Sequence, residues 1–318
     1  MSTSPRTAVF LTIIATFFWG SNFVVVKSSL ASLPPWTAAA ERFVIAAICI
    51  SLVLHFKTGF NLKVLRQNAL AYALLGGVGI AGFNGAFFIG LQTADPVTAA
   101  LIMATTPLSA NFFEAALNRR FPGQWRIAGM IISLIGVALV VTDGTFFMGV
   151  NLAYVPGDGI IVLGSLVWAL YTVGCRRFVK ESTPLETTTW TMISGALTLV
   201  VMAFIVEQPL TAVAGGTFYS HAATVYLATM GAVLAYLFFI TGVYVRGPGR
   251  TAVFLNFVPV FALLISIVQG HVPREIQVLG IIVTILGVMI ADGTLLATLA
   301  KARRGSVTRQ YSKPSDGA

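Results

Sequence analysis

The sequence is short of charge. Lysine, arginine, aspartate and glutamate make up 10% of its 318 residues, where a soluble domain carries about 25%. So few charged groups cannot cover a surface that faces water, which excludes an ordinary soluble globular protein. Cysteine is nearly absent as well. Cys49 and Cys175 each fall inside an apolar run, so no disulfide framework is implied. The chain contains no HExxH, no GxxxxGK[ST] and no GxSxG, and no Cys/His cluster that would suggest a metal. Those absences argue against zincin, P-loop and serine-hydrolase chemistry, and against an ATP-driven pump. No cofactor is expected, and without a polar catalytic constellation the chain reads as a non-enzyme.

What is present is apolar residue in blocks. Hydrophobic residues account for 57% of the chain and its mean hydropathy is +0.87. Each block is about 20 residues long, the length that crosses the hydrocarbon core of a bilayer as a helix. Spans are expected near residues 8–26, 38–55, 69–91, 97–118, 126–142, 159–175, 187–206, 222–244, 251–270 and 276–297. Helices are required because a lipid-exposed backbone must satisfy its own hydrogen bonds. The period-two alternation of an outer-membrane barrel is missing.

The net charge of +9 sorts by side. Arg6 precedes the first span. His55, Lys57, Lys63 and Arg66 follow the second, Arg119, Arg120 and Arg126 the fourth, Arg176, Arg177 and Lys180 the sixth, and Arg246 and Arg250 the eighth. The tail adds Lys301, Arg303, Arg304, Arg309 and Lys313. The alternate connections carry Asp95, Asp143, Asp158 and Glu207, with Arg274 beside Glu275. The positive-inside rule then places both termini in the cytoplasm and demands an even number of spans. Nucleic acid is not an expected partner; the lipid bilayer is.

The chain also repeats itself. Trp19 to Lys27 reads WGSNFVVVK and Trp168 to Arg176 reads WALYTVGCR. Pro35 and Pro184 open the second and seventh spans, and Thr106-Pro107-Leu108 matches Val258-Pro259-Val260. Gly129 and Gly136 match Gly280 and Gly287, and Asp143-Gly144-Thr145 matches Asp292-Gly293-Thr294. Five spans per unit invert the second unit relative to the first, the arrangement that suits alternating access. The expected fold is an all-α integral membrane protein of ten transmembrane helices in two inverted five-helix repeats. The repeats occupy 1–147 and 148–298, with a linker near 143–157, and 299–318 form a disordered cytoplasmic tail.

With WGSNFVVVK near the start, PPWTAAAERF at the second span and LQTADPVTAALIMATTPL through the fourth, the two units resemble EamA repeats of the drug/metabolite transporter superfamily. YVRGPGRTAVFLNFVPV stands in the matching place of the second half. The resemblance implies a ten-helix inner-membrane carrier, often an exporter of amino acids or related metabolites, working as a monomer or homodimer on a small-molecule substrate. The family usually has Gly-Glu where the fourth span ends; this chain has Asn118-Arg119 there and Gly270-His271 in the second copy. The alternatives are a sugar-phosphate, nucleotide-sugar or drug carrier of the same superfamily, a membrane-embedded enzyme, or a channel. A phosphate carrier wants several cavity cations and this chain offers mainly Lys27 and Arg42. An enzyme lacks its polar cluster, and a channel has no need of inverted repeats.

Matched polar and aromatic positions nominate a midplane cavity: Trp19 with Trp168, Asn22 with Tyr171, Asn84 with Tyr236. For Asn84 and Tyr236 an interhelical hydrogen bond is the equal alternative. Asn111 and Asn256 stand beside Pro107 and Pro259, where a bend is either a moving part or a static kink. Lys27, Glu41 and Arg42 are charges at the outer end, expected to cluster there. They serve either as a gate that meets a substrate carboxylate or as mutually neutralising interfacial groups. Glu114 is expected to pair with Arg119 or Arg120. Gly77, Ala81 and Gly85 make a small-residue face, so the third helix should approach a neighbour closely.

Overall fold

The computed structural model describes residues 3–90, 93–94, 96–142, 155–270 and 272–295. Asp95, the 143–145 copy of the Asp-Gly-Thr motif, most of the linker, His271 and the basic tail lie outside the described residues.

Among the described residues ten helical spans are long and apolar enough to cross a membrane: α1 Pro5–Ser29, α2 Pro35–Lys57, α3 Leu62–Gly90, α4 Thr98–Asn118, α5 Gln124–Thr142, α6 Pro156–Arg177, α7 Pro184–Val206, α8 Phe218–Arg246, α9 Pro248–Val268 and α10 Glu275–Asp292. Five of them begin on a proline, whose missing N–H costs nothing in a first turn. The chain is therefore an all-α, multi-pass membrane protein. Outward-facing apolar side chains such as Ile48, Leu70, Ile131, Leu163, Leu197 and Ile282 are exposed, as a lipid-facing surface requires.

Two features differ most from expectation. α3 begins at Leu62, well before residue 69, because the Asn61 side chain accepts from the Val64 N–H at 3.2 Å and caps it. Lys63 and Arg66 thus ride on a helix rather than a loop. A short helix, Pro209–Gly215, also sits between α7 and α8; its handful of residues is too brief to show periodicity.

Side-chain bonds fix which ends lie together. At the basic end the Glu114 carboxylate accepts from the Gly249 N–H at 2.9 Å. Asn68 Nδ2 donates to the Lys180 carbonyl at 2.9 Å, Arg176 donates to the Val243 carbonyl at 2.7 Å, and Arg246 pairs with Asp292. At the opposite end Glu207 accepts from the Trp36 and Thr37 N–H groups at 3.1 and 2.8 Å, capping α2. Ser29 and Thr224 hydroxyls meet there at 2.6 Å.

Backbone irregularities recur in matched places. α3 contains a π-helical segment, Leu75–Gly82, and α8 contains another, Leu227–Leu234. These stand the same distance apart in sequence as Pro107 and Pro259. α4 breaks at Thr105: Pro107 has no N–H for Met103, and the Thr106 hydroxyl takes the Met103 carbonyl instead, at 2.5 Å. α9 carries a 3₁₀ turn, Val253–Asn256, at the matching point.

α5 and α10 cross on glycine. A Cβ on Gly129 would lie 2.6 Å from the Gly287 carbonyl oxygen, and one on Gly136 would lie 2.8 Å from that of Gly280. α3 meets α7 as closely, but through a rotated face. A Cβ on Gly76 would come within 2.2 Å of the Thr191 carbonyl, whereas Gly77 has only the Thr198 hydroxyl at 3.2 Å. The wider π turn shifts the register of the small-residue stripe.

Candidate functional site

The core of the bundle is aromatic. Trp168 of α6 is buried and stacks on Tyr171 at 5.1 Å between ring centroids. It meets Trp19 of α1 edge-on at 5.6 Å, Tyr236 of α8 at 5.3 Å and Phe83 of α3 at 5.2 Å. Trp19 also touches Tyr236 at 5.8 Å, and its indole N–H donates to the Gly231 carbonyl at 2.9 Å. Edge-on contacts place the positive rim of one ring on the negative face of the next, each worth about 0.5–1.5 kcal/mol beyond burial.

The π segments have a geometric consequence here. Gly231 lies in that of α8, and the half-buried Asn22 of α1 packs directly against it: a Cβ at Gly231 would sit 2.4 Å from Asn22 Oδ1. That Asn22 oxygen is buried with no hydrogen-bond partner among the described residues. Asn84 follows the π segment of α3, and its Nδ2 donates back to the Ile80 carbonyl at 2.8 Å.

Arg42 supplies the cation of this centre. Its guanidinium lies 5.2 Å from the centroid of Phe43, faces Tyr236, and donates from Nε to the Leu227 carbonyl at 3.2 Å. Among the described residues Nε is the group of Arg42 with a hydrogen bond to the protein. Asn84 also interacts with the Tyr236 hydroxyl.

The proposed site residues therefore divide. Trp19, Trp168, Tyr171 and Tyr236 form one contiguous group, joined by Asn22, Asn84 and Arg42. Asn111 of α4 and Asn256 of α9 stand apart from it and contact α5 instead. Asn111 Nδ2 donates to the Gly249 and Pro107 carbonyls at 3.0 and 2.8 Å, and Asn256 Nδ2 donates to the Ser133 hydroxyl at 2.8 Å. Lys27 is exposed and takes part in no ion pair among the described residues. Glu41 is engaged by His221, Oε1 to Nδ1 at 2.8 Å, rather than by Lys27 or Arg42. His221 Nε2 stands 3.2 Å from the Val213 carbonyl. Both ring nitrogens thus face acceptors, a pairing that the doubly protonated imidazole satisfies in full. Among the described residues Glu114 forms no ion pair with Arg119 or Arg120; its carboxylate accepts from the Gly249 N–H at the start of α9.

The model of the EamA-like transporter family matches residues 6–142 and again 155–291. The chain belongs to the EamA-like transporter family. Its EamA relatives include the uncharacterized transporter YyaM of Bacillus subtilis, 36% identical over 282 residues that span 88% of this chain and 92% of that protein. The aromatic amino acid exporter YddG of Ancylobacter novellus is 28% identical over 183 residues, 58% of this chain and 62% of that one. A solved crystal structure superposes with a TM-score of 0.78 at 22% identity over 92% of this chain and 99% of its own, a likeness of fold alone. This chain is a membrane-embedded EamA transporter, and the family implies a small-molecule substrate.

Proposed function

We propose that this transporter exports an amino acid or a closely related small metabolite across the inner membrane by alternating access, with both termini in the cytoplasm. The observation that carries the reading is the pairing of one guanidinium with a contiguous cluster of aromatic rings. Arg42 offers its Nη donors to a carboxylate, and the rings of Trp19, Trp168, Tyr171 and Tyr236 suit an apolar or aromatic side chain. Asn22 Oδ1 adds an unused acceptor for an ammonium group. The name of the relative YddG points to the same substrate class.

Two inverted halves, 1–147 and 148–298, support the alternating mechanism. In a two-fold arrangement a residue that touches its own equivalent lies near the axis. Trp19 touches Trp168, Asn84 faces Tyr236, and the Gly129–Gly287 contact exchanges with Gly136–Gly280. Such an axis runs through the aromatic centre, where inverted-repeat carriers hold substrate. Lys27 and Glu41 are assigned to control of access from the outer end, and Arg42, expected to join them there, is assigned to the aromatic centre.

The test is a flux screen in proteoliposomes across amino acids, nucleosides and sugars. Selective movement of one or a few amino acids is expected. Movement of a sugar or nucleoside with no amino-acid flux would refute the substrate class.

A further inference from the structure

At the basic end, the α4–α5 connection and the α8–α9 turn enclose a cavity of about 650 Å³, lined by Asn111, Glu114, Arg120, Arg126, Arg246 and Arg250 among others. Arginine at helix ends on this side is what the positive-inside preference delivers. Convergence of four guanidinium groups on one space is not, since like charges spread through loops are better screened by water.

Three features show that the charge is only partly neutralised from within. The Arg246 side chain is only 10% exposed. Its ion pair with Asp292 occupies Nη2, while Nη1 is buried with no hydrogen-bond partner among the described residues. Half-buried Arg126 feels Arg250 and Arg246 as like charges, offset in part by Glu114 and Asp292, and its Nη1 reaches Asn111 Oδ1 only at 3.5 Å, the outer limit of a hydrogen bond. Among the described residues that line the cavity Glu114 is the one carboxylate, a single negative charge against four guanidinium groups, and one of its oxygens accepts from the Gly249 N–H at 2.9 Å. The space thus holds an excess of planar, fork-shaped donors and a deficit of acceptors.

We propose that this cavity binds a phosphate-bearing anion, held by the forks of Arg126 and Arg250 against Arg246, with Arg120 at the rim. A phosphate group presents several anionic oxygens to several guanidinium groups at once, which a halide does not. Phe121, on the cavity wall, and Trp125, at the start of α5, are both exposed. Aromatic side chains in that position settle at headgroup depth, so the mouth opens where phosphates of the bilayer lie. The phosphate comes either from an anionic phospholipid or from a soluble phosphate. The site is separate from the transport reading, because no residue of the aromatic centre lines it.

The full chain, purified in uncharged detergent and stripped of lipid, is titrated with short-chain phosphatidylglycerol, short-chain phosphatidylcholine or inorganic phosphate while its melting temperature is followed. A saturable rise with phosphatidylglycerol and not with phosphatidylcholine supports the site and assigns it to lipid. A saturable rise with inorganic phosphate supports it as a site for soluble phosphate. In the R250Q protein the midpoint of that titration moves at least tenfold higher; Arg250 is exposed, so its replacement leaves the fold intact. R126K keeps the charge, loses the fork, and shifts the midpoint by less than R126Q. No saturable response to either anion, an equal response to phosphatidylcholine, or an unchanged midpoint in both R250Q and R126Q overturns the proposal.

Discussion

Lys27 and Trp168 illustrate two ways in which a residue earns its place in a membrane protein. Lys27 stands exposed at the end of α1 opposite the basic loops, with its nearby acid, Glu41, already engaged by His221. No ion pair among the described residues ties it to a neighbouring helix, so its removal has little packing to undo. Lys27→Met should therefore lower flux in proteoliposomes while the melting temperature stays within a degree or two of the parent. Unchanged flux with a lowered melting temperature would assign Lys27 a structural role instead. Trp168 is the opposite case, with ring contacts to Trp19, Phe83, Tyr171, Tyr236 and Phe239. Trp168→Ala leaves a cavity in a packed core and should cost about 3–5 kcal/mol, read from denaturant unfolding in detergent. The pairing of Trp19 with Trp168 was legible in the sequence because both sit in matching segments. The Glu41–His221 bond was not: its partners are 180 residues apart, on α2 and α8, and nothing local to either signals the other.

Elements in this bundle are joined by small residues and by satisfied hydroxyls. Thr188, Thr189 and Thr191 of α7 are all buried, and each hydroxyl donates to the carbonyl four residues earlier, at 2.7–2.8 Å. That bonding removes the cost of placing polar groups away from water. The α5–α10 crossing depends on the absence of side chains. A Cβ at Gly136 would lie 2.4 Å from the Thr284 backbone nitrogen, an obstacle that no rotamer relieves. Gly136→Leu should force the helices apart and destabilise the protein by at least about 1–3 kcal/mol, with a fall in folded yield by size-exclusion chromatography. Gly123→Leu, at a position with open space around it, is the matched control and should leave the yield unchanged. The glycines and their spacing were visible in the sequence. The π segments were not, because a wider turn has no residue signature beyond a run of small residues. They moved the close contact of α3 from Gly77 to Gly76.

The whole molecule is organised by lipid and by charge. Ten spans follow from apolar block length alone, since nothing shorter crosses the hydrocarbon and nothing but a helix satisfies its own backbone there. The sidedness expected from the basic loops is tested by single cysteines in intact cells. A cysteine at Lys63 should resist a membrane-impermeant maleimide, and one at Gly215, in open space on the short helix after α7, should react. Efficient labelling at position 63 would reverse the orientation. Recognition by the aromatic centre is the claim on which the functional reading turns, and counterflow addresses it directly. Proteoliposomes are loaded with an unlabelled amino acid, trace label is added outside, and uptake is followed with time. The parent should show a transient overshoot for its amino-acid substrate. The Arg42→Gln protein, folded as judged by its melting curve, should lose it by at least about tenfold, the loss expected when one charge-assisted carboxylate contact worth about 1.5–3 kcal/mol is removed. An overshoot of equal size in Arg42→Gln, or none with any amino acid in the folded parent, would contradict the account.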